Sequence, residues 1–358
     1  MKKVLIITDV NFWEKSSGNR TRISGLIAYL ARQVQLTVVN TGPAPENIEK
    51  LLGNDFNAEF FVLEKTKYLN SNGYGLRLKA FLKGRHFDTV IIEYIHSSYF
   101  LNFLIEDVQV ILDAHDIISH RAKEFKKFNY GGALYELSKE TEIELFNIYD
   151  HVIALCQPDY EEITAMVEMG KVLLCPHPVQ TSLHTNREVV KTIAFVASAY
   201  LPNVDAINWF IANCWPLISE KYRNVRLVVC GTVCMNVKLL DQPQITCKGF
   251  VADIDEIYEE ADIIINPVRF GAGLKIKNLE ALAHGRPLVT THHGARGLEA
   301  GINKSFLVAN NAEEFIRSIE SLIINTSLRQ EVSQNAYIFI NDNFSPEQCF
   351  KPLMETIG

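Results

Sequence analysis

The chain has 358 residues, 47% of them hydrophobic and 22% charged, with a formal net charge of −7. That length suggests two domains of ordinary size, and with an acid excess shared by both halves nothing in the overall charge attracts nucleic acid. No run approaches the roughly 20 apolar residues of a bilayer-spanning helix, and seven cysteines without a repeated CxxC spacing suggest neither a zinc site nor a disulfide framework.

Reduced thiols in a cytoplasm are therefore expected. Residues 1–10 (MKKVLIITDV) are basic and then apolar, but they lack a small-residue cleavage site and meet Asp9 at once, so they read as a first strand. Apolar β-rich runs at residues 4–8, 36–39, 89–93, 110–113 and 151–155 alternate with helical patterns such as Ile23, Leu26, Ile27 and Leu30. This is the signature of βαβ units around a parallel sheet. Arg20 and Arg22 stand at a helix start, where cations oppose the dipole; a bridging anion would explain them, and exposure to water is the expectation. Residues 120–130 (HRAKEFKKFNY) mix cations with aromatics. Such surfaces can lie on anionic membranes, although a solvated charged helix is the expectation.

The pattern pauses at residues 172–179 (VLLCPHPV), where Pro176 and Pro178 precede a polar stretch, and an interdomain linker is placed there. The expected domains are 1–178 and 179–342. A helical tail at 343–358, following the break at Ser345 and Pro346, is expected to pack away from its own half, back on the first domain. The second series runs through residues 192–196, a helix with Ile207, Phe210 and Ile211, then 225–230, 245–248, 262–265 and 287–291.

Residues 266–291 (NPVRFGAGLKIKNLEALAHGRPLVTT) read as a strand end, a glycine loop, a short helix and another strand. Gly271 and Gly273 lack β-carbons, so a bulky anion can approach the amides that open the helix, where the dipole favours phosphate. Ile276, Leu279 and Ala283 share one helical face, and Lys277 and Glu280 share another. Lys277, with Lys275 or Arg269 nearby, could neutralise a diphosphate, and Glu280 could accept both hydroxyls of a ribose. The plain alternative is a surface ion pair worth about 0.2–0.5 kcal/mol. Gly285 ends the helix and Pro287 starts the next strand. No paired acidic motif of the D-x-D kind stands beside the loop, so no metal is expected and lysine supplies the counter-charge.

Several ordered segments carry a family resemblance: residues 195–206 (FVASAYLPNVDA) with Asn208–Phe210, residues 248–253 (KGFVAD), residues 269–287, and residues 150–155 (DHVIAL), with Cys156 where serine is usual. Together they resemble the retaining glycosyltransferases of family 4, or glycosyl transferases group 1. That resemblance implies the GT-B fold, an α/β architecture of two Rossmann-like, doubly wound parallel-sheet domains facing a cleft. It implies transfer of a sugar from a nucleotide-sugar donor to a hydroxyl acceptor on a glycan, a lipid-linked molecule, a protein glycan or a small molecule, in polysaccharide biosynthesis. The nucleotide sugar is a co-substrate, so no cofactor is implied. The setting would be cytoplasmic or peripheral at the inner membrane face. The second domain would hold the donor and the first the acceptor.

Carried over residue by residue, Lys277 would bind the diphosphate and Glu280 the ribose, with Ala272 and Leu274 completing the loop. Gly249, Phe250 and Val251 would present backbone to the nucleobase. Gly18, in the loop 11–18, would let donor phosphate or acceptor approach the next helix. His115, in VILDAHD, would sit by the transferred sugar, and its place at the carboxyl end of a strand agrees with where sheet sites lie. Asp116 either orients His115 or caps the following helix, the cap being expected; His96 shares the topological position of His115. Two departures stand out. Ala272 replaces the first of two glutamates spaced as in many relatives, and Ser198 and Asn203 occupy the region of a basic pair. A nucleotide-sugar epimerase of the same fold, or a degenerate binding protein, are the rival readings.

Overall fold

The computed structural model describes residues 1–14, 17–53, 56–63, 71–104, 107–131, 135–238, 244–251 and 253–358. Positions 15–16 of the loop 11–18, and Ala252 of the KGFVAD segment, lie outside the described residues. The chain divides into two compact units, one of Met1–His177 with Cys349–Gly358 and one of Pro178–Gln348.

Among its described residues the first unit holds seven strands: β1 Lys3–Thr8, β2 Gln35–Asn40, β3 Glu59–Val62, β4 Thr89–Glu93, β5 Gln109–Asp113, β6 His151–Ala154 and β7 Val172–Leu174. They lie in the order β3-β2-β1-β4-β5-β6-β7, and their pairings are parallel. Val4 to Ile7 of β1 and the whole of β4 are buried. A strand buried on both faces needs a continuous apolar run rather than an alternating one, which is why both segments are legible. The order reverses beside β1, where β2 lies on one side and β4 on the other. Carboxyl ends at such a switch point are where open α/β sheets bind ligands.

The second unit repeats the plan with β8 Thr192–Val196, β9 Arg226–Cys230, β10 Ile245–Gly249, β11 Ile263–Asn266, β12 Leu288–Thr290 and β13 Leu307–Val308. The order is β10-β9-β8-β11-β12-β13, again parallel throughout. A separate core forms around Phe195, Phe210, Trp215 and Phe315.

The linker expected over residues 172–179 is corrected at its start. Val172–Leu174 is strand β7, hydrogen-bonded to β6, and the units part at His177 and Pro178. The final helix, Pro346–Ile357, places Phe350 in the first unit, 4.9 Å from the Tyr29 ring and 4.9 Å beneath the Arg22 guanidinium.

Candidate functional site

In the second unit, β11 delivers the chain into the glycine loop and then the helix Ile276–Ala283. Gly271 and Gly273 have φ of 117° and 70°, in the left-handed half of the map where a β-carbon is strained. Gly285, at φ 62°, closes the helix. Asn278, fully buried, accepts from Asn266 Nδ2 at 2.7 Å and donates to Gly294 O at 2.8 Å. These bonds pin the helix to the end of its own strand, with Leu279, Leu282 and Ala283 inward, whereas Ile276 is only half-buried.

So held, Lys277 and Glu280 take different partners rather than each other. Lys277 Nζ donates to Asn203 Oδ1 and lies 5.0 Å over the Phe195 ring. Burial, with Lys275 nearby, pushes its ammonium down to about 7. Glu280 Oε2 accepts from the Tyr258 hydroxyl at 2.9 Å. Burial raises the Glu280 carboxyl above its ordinary range, against the opposing pull of Tyr258 and Lys277. Asn203 is itself oriented, its Nδ2 donating to Ser198 O at 3.1 Å. The two positions that depart from the resembled basic pair therefore stand together, and one of them meets Lys277.

The other cations near the loop are committed. Arg269 forms a two-pronged pair with Asp205, at 3.0 and 2.7 Å, and lies 5.4 Å over Trp209. Lys275 Nζ donates to Ala272 O and Gly273 O, at 3.3 and 2.8 Å, so it ties the loop to itself. Leu274 is half-buried beside it. At the end of β10, Gly249 has φ 66° and its carbonyl accepts from Gly231 N at 2.6 Å. A β-carbon on Gly231 would fall 2.1 Å from Ala197 O, so the ends of β8, β9 and β10 converge there. Phe250 is exposed and Val251 half-buried.

In the first unit, β4 and β5 end side by side, with Glu93 paired to Asp113. His115 Nε2 donates to Glu93 Oε2 at 2.6 Å, and its ring stacks on Tyr94 with centroids 3.9 Å apart and planes 9° apart. Tyr94 and His115 have φ of 66° and 63°, which bulky residues adopt only where their surroundings compel it. Burial disfavours the His115 imidazolium, but the Asp113 charge and then Glu93 outweigh it and raise its pKa. Glu93 is raised to about 6, by its burial and then by Asp113.

Arg22 is a correction. Expected at a wet helix start, it is fully buried, with Nη2 3.1 Å from Asp113 Oδ2 and Nη1 donating to Pro176 O at 2.9 Å. Glu93, Asp113 and His115 each offer a ligand atom within 4.8 Å of the others, but the Arg22 guanidinium already supplies the cation of this cluster.

Asp116 is corrected as well. It neither caps a helix nor bonds His115; both its oxygens accept from Arg121, at 3.1 and 2.8 Å. The amides of Ile118 and Ser119 that open the helix Ile118–Lys127 go instead to Glu142, at 2.6 and 3.0 Å. His96 Nε2 lies 3.1 Å from Asp9 Oδ2, and its ring stacks on Tyr94. Arg20 pairs with Glu14, and Gly18 is the first residue of the helix Gly18–Leu30. Within residues 120–130, Phe125 is buried while Lys123, Lys126 and Lys127 are exposed. No described helix is long and apolar enough to cross a membrane.

Sequence reasoning missed Tyr258, Glu93, Tyr94 and Asp9. For Glu93 and Asp9 the available signal was a carboxylate at the end of an apolar strand; for Tyr258 there was none, because its place beside Glu280 comes from tertiary packing.

Residues 190–325 match the family model described as glycosyl transferases group 1. An uncharacterized 44.6 kDa protein in the cps region of Klebsiella pneumoniae is 21% identical over 305 residues, covering 78% of this chain and 76% of that one. Among solved structures, S. aureus TarM, in a variant crystallised with Fondaparinux, alpha-GlcNAc-glycerol and UDP, superposes with a TM-score of 0.77 at 12% identity, over 100% of both chains. Anabaena HepE in complex with UDP and glucose gives 0.73 at 14% identity, over 100% of this chain and 99% of that one. The sucrose-phosphate synthase of Thermosynechococcus elongatus gives 0.75 at 12% identity, over 99% and 98%. The likeness to glycosyl transferases group 1 thus falls on residues 190–325 of the second unit, and the chain as a whole has the GT-B fold of two parallel-sheet α/β units.

Proposed function

We propose that this protein transfers a sugar from a nucleotide-sugar donor to a hydroxyl acceptor, with retention at the anomeric carbon and without a metal. The observation that carries the reading is Lys277. Its ammonium is half-buried against a neutral amide and a phenyl face, with Glu280 turned to Tyr258. A desolvated cation bonded to a neutral amide rather than to a carboxylate gains most when an anion arrives, and the loop that precedes it has two glycines that let phosphate approach the backbone.

In this reading Lys277 stabilises the charge that gathers on the leaving diphosphate, a preorganised electrostatic role. Glu280 holds the ribose, Gly249 to Val251 face the nucleobase, and His115 positions the sugar. The bond from the anomeric carbon to the phosphate oxygen breaks, a bond to the acceptor oxygen forms, and the hydroxyl proton leaves with the products. UDP in the TarM and HepE crystals supports a nucleotide-sugar donor, and the glycan ligands of TarM support a carbohydrate acceptor. The relative in a cps region supports a polysaccharide context.

The test is to incubate purified protein with UDP-, GDP- and ADP-sugars and glycan acceptors, with and without chelator, and to read the product's anomeric configuration by NMR. Transfer with retention in the presence of chelator is expected. Epimer release without transfer would replace the reading with an epimerase, and binding without turnover would leave a degenerate carrier of the fold.

A further inference from the structure

We infer that Tyr258 is a positioning residue for the donor's ribose: it fixes the Glu280 carboxylate and so sets how strongly the protein distinguishes ribose from a deoxyribose. This rests on the donor-binding reading of Glu280.

Tyr258 belongs to the short helix Asp255–Glu260 and is wholly buried. Its ring is packed on all sides. One contact is His284, stacked at 4.7 Å and 15°, and that imidazole is held by Asp255 Oδ1 at 3.2 Å and by a hydrogen bond shared with His184 at 3.0 Å. The backbone is fixed too, because Tyr258 O accepts from Arg286 Nε at 2.7 Å. With ring and backbone both set, the hydroxyl has one place to be. It stands 2.9 Å from Glu280 Oε2, with Lys277 O at 3.4 Å as its other neighbour.

A glutamate side chain ordinarily gives up rotamer freedom when a ligand fixes it. Here Tyr258 has already fixed it, so the ligand need not. The tether also divides the carboxylate. Oε2 is taken, while Oε1 bonds no described residue and keeps its lone pairs for a ligand hydroxyl. A half-buried anionic oxygen rewards a nucleotide that supplies a hydroxyl and penalises one that lacks it. Burial, followed by the neighbouring Glu280 charge, raises the Tyr258 phenol well above its ordinary range, so it remains a donor at neutral pH.

The experiment compares Tyr258→Phe with the unmodified protein by calorimetric titration, using the tightest binder among UDP, GDP and ADP and its 2′,3′-dideoxy counterpart. The unmodified protein should prefer the ribose form by about 10- to 100-fold, as expected for a hydroxyl bonded to a charged group. Tyr258→Phe should cut that preference to within about threefold, leave dideoxy binding within about twofold, and raise KM for the donor with kcat nearly unchanged. Adding the substitution to Glu280→Gln should lower the preference no further, since both act through one contact.

A Tyr258→Phe protein that keeps the full preference overturns the proposal. So does equal weakening of both nucleotides, which would make Tyr258 merely structural; thermal unfolding of each variant separates that from loss of the fold. If the unmodified protein binds the diphosphates without preferring ribose, the roles of Glu280 and Tyr258 fall while donor binding stands. If it binds none of them, the donor reading itself falls, and this inference with it.

Discussion

Glu93 Oε2 lies 2.6 Å from His115 Nε2: Glu93 ends β4, opposite Asp113 at the end of β5, and His115 follows Asp113 by two residues. The carboxylate fixes which imidazole nitrogen carries the proton and holds the ring flat against Tyr94. Glu93→Gln keeps the shape and removes the charge. The His115 titration, followed by NMR, should move to lower pH, because Glu93 is among the groups that raise it. Sugar transfer should fall roughly 10- to 100-fold through lost positioning. An unmoved titration would show that Asp113 alone maintains the imidazolium.

Lys277 is expected to be a residue on which activity and stability conflict. Its folded pKa is about 7 against an ordinary 10.5. Folding therefore favours the neutral amine, and the charge opposes folding at every pH below about 10.5, fully so below about 7. Lys277→Met should stabilise the ligand-free protein by roughly 1–2 kcal/mol, with the gain in Tm largest on the acid side. The same substitution should lower kcat by about 10²–10³, as when one oxyanion donor is removed. A destabilised variant would show that the bond to Asn203 outweighs the desolvation of the ammonium.

What was legible in the sequence is what local pattern encodes. The glycine loop and the helix after it follow from two glycines and an apolar stripe, and the buried strands follow from continuous apolar runs. Strand β13 is only two residues long, too short to show a period, and β7 is hidden beside prolines. The larger misses are partnerships between distant segments. Arg22 at a helix start reads as an exposed cation until Asp113, 91 residues away, is brought to it by the sheet. Asp116 has the form of a helix cap, but Glu142 reaches the same amides from the next helix and leaves Asp116 to Arg121. Asn203 reads as the loss of a basic residue; only the fold shows that it receives the lysine that remains.

Arg269 and Lys277 both precede or open the same helix, yet Arg269 is bonded to the Asp205 carboxylate, whereas among the described residues Lys277 is bonded to the Asn203 amide. Because Asp205 holds Arg269 in a two-pronged pair, Arg269→Ala should weaken nucleotide binding by less than about threefold. It should destabilise the unit by roughly 1–3 kcal/mol, mostly by leaving the buried Asp205 with one charged partner fewer. Calorimetric affinity and thermal unfolding of the same variant measure the two effects. A loss of affinity beyond about tenfold would return Arg269 to the diphosphate.

The pH dependence of nucleotide binding should carry the signature of Lys277. In the free protein its pKa is held down to about 7, chiefly by burial; an arriving diphosphate favours the ammonium and raises it. The protonated form binds the anion better, so affinity from this group is fully present below about pH 7. It should then be lost as pH rises from there toward the higher pKa of the complex, by at most tenfold per unit. The terminal phosphate of the ligand ionises in a neighbouring range and works in the opposite direction, since its dianion binds a cation more tightly. Lys277→Ala separates the two, because it retains the ligand's ionisation and lacks the lysine's. The ratio of dissociation constants, Lys277→Ala over unmodified protein, should be largest near pH 6 and shrink steadily above pH 7. A ratio that stays constant from pH 6 to pH 9 would mean that the ammonium keeps its proton across the whole range, and that burial of Lys277 against Phe195 and Asn203 does not depress it.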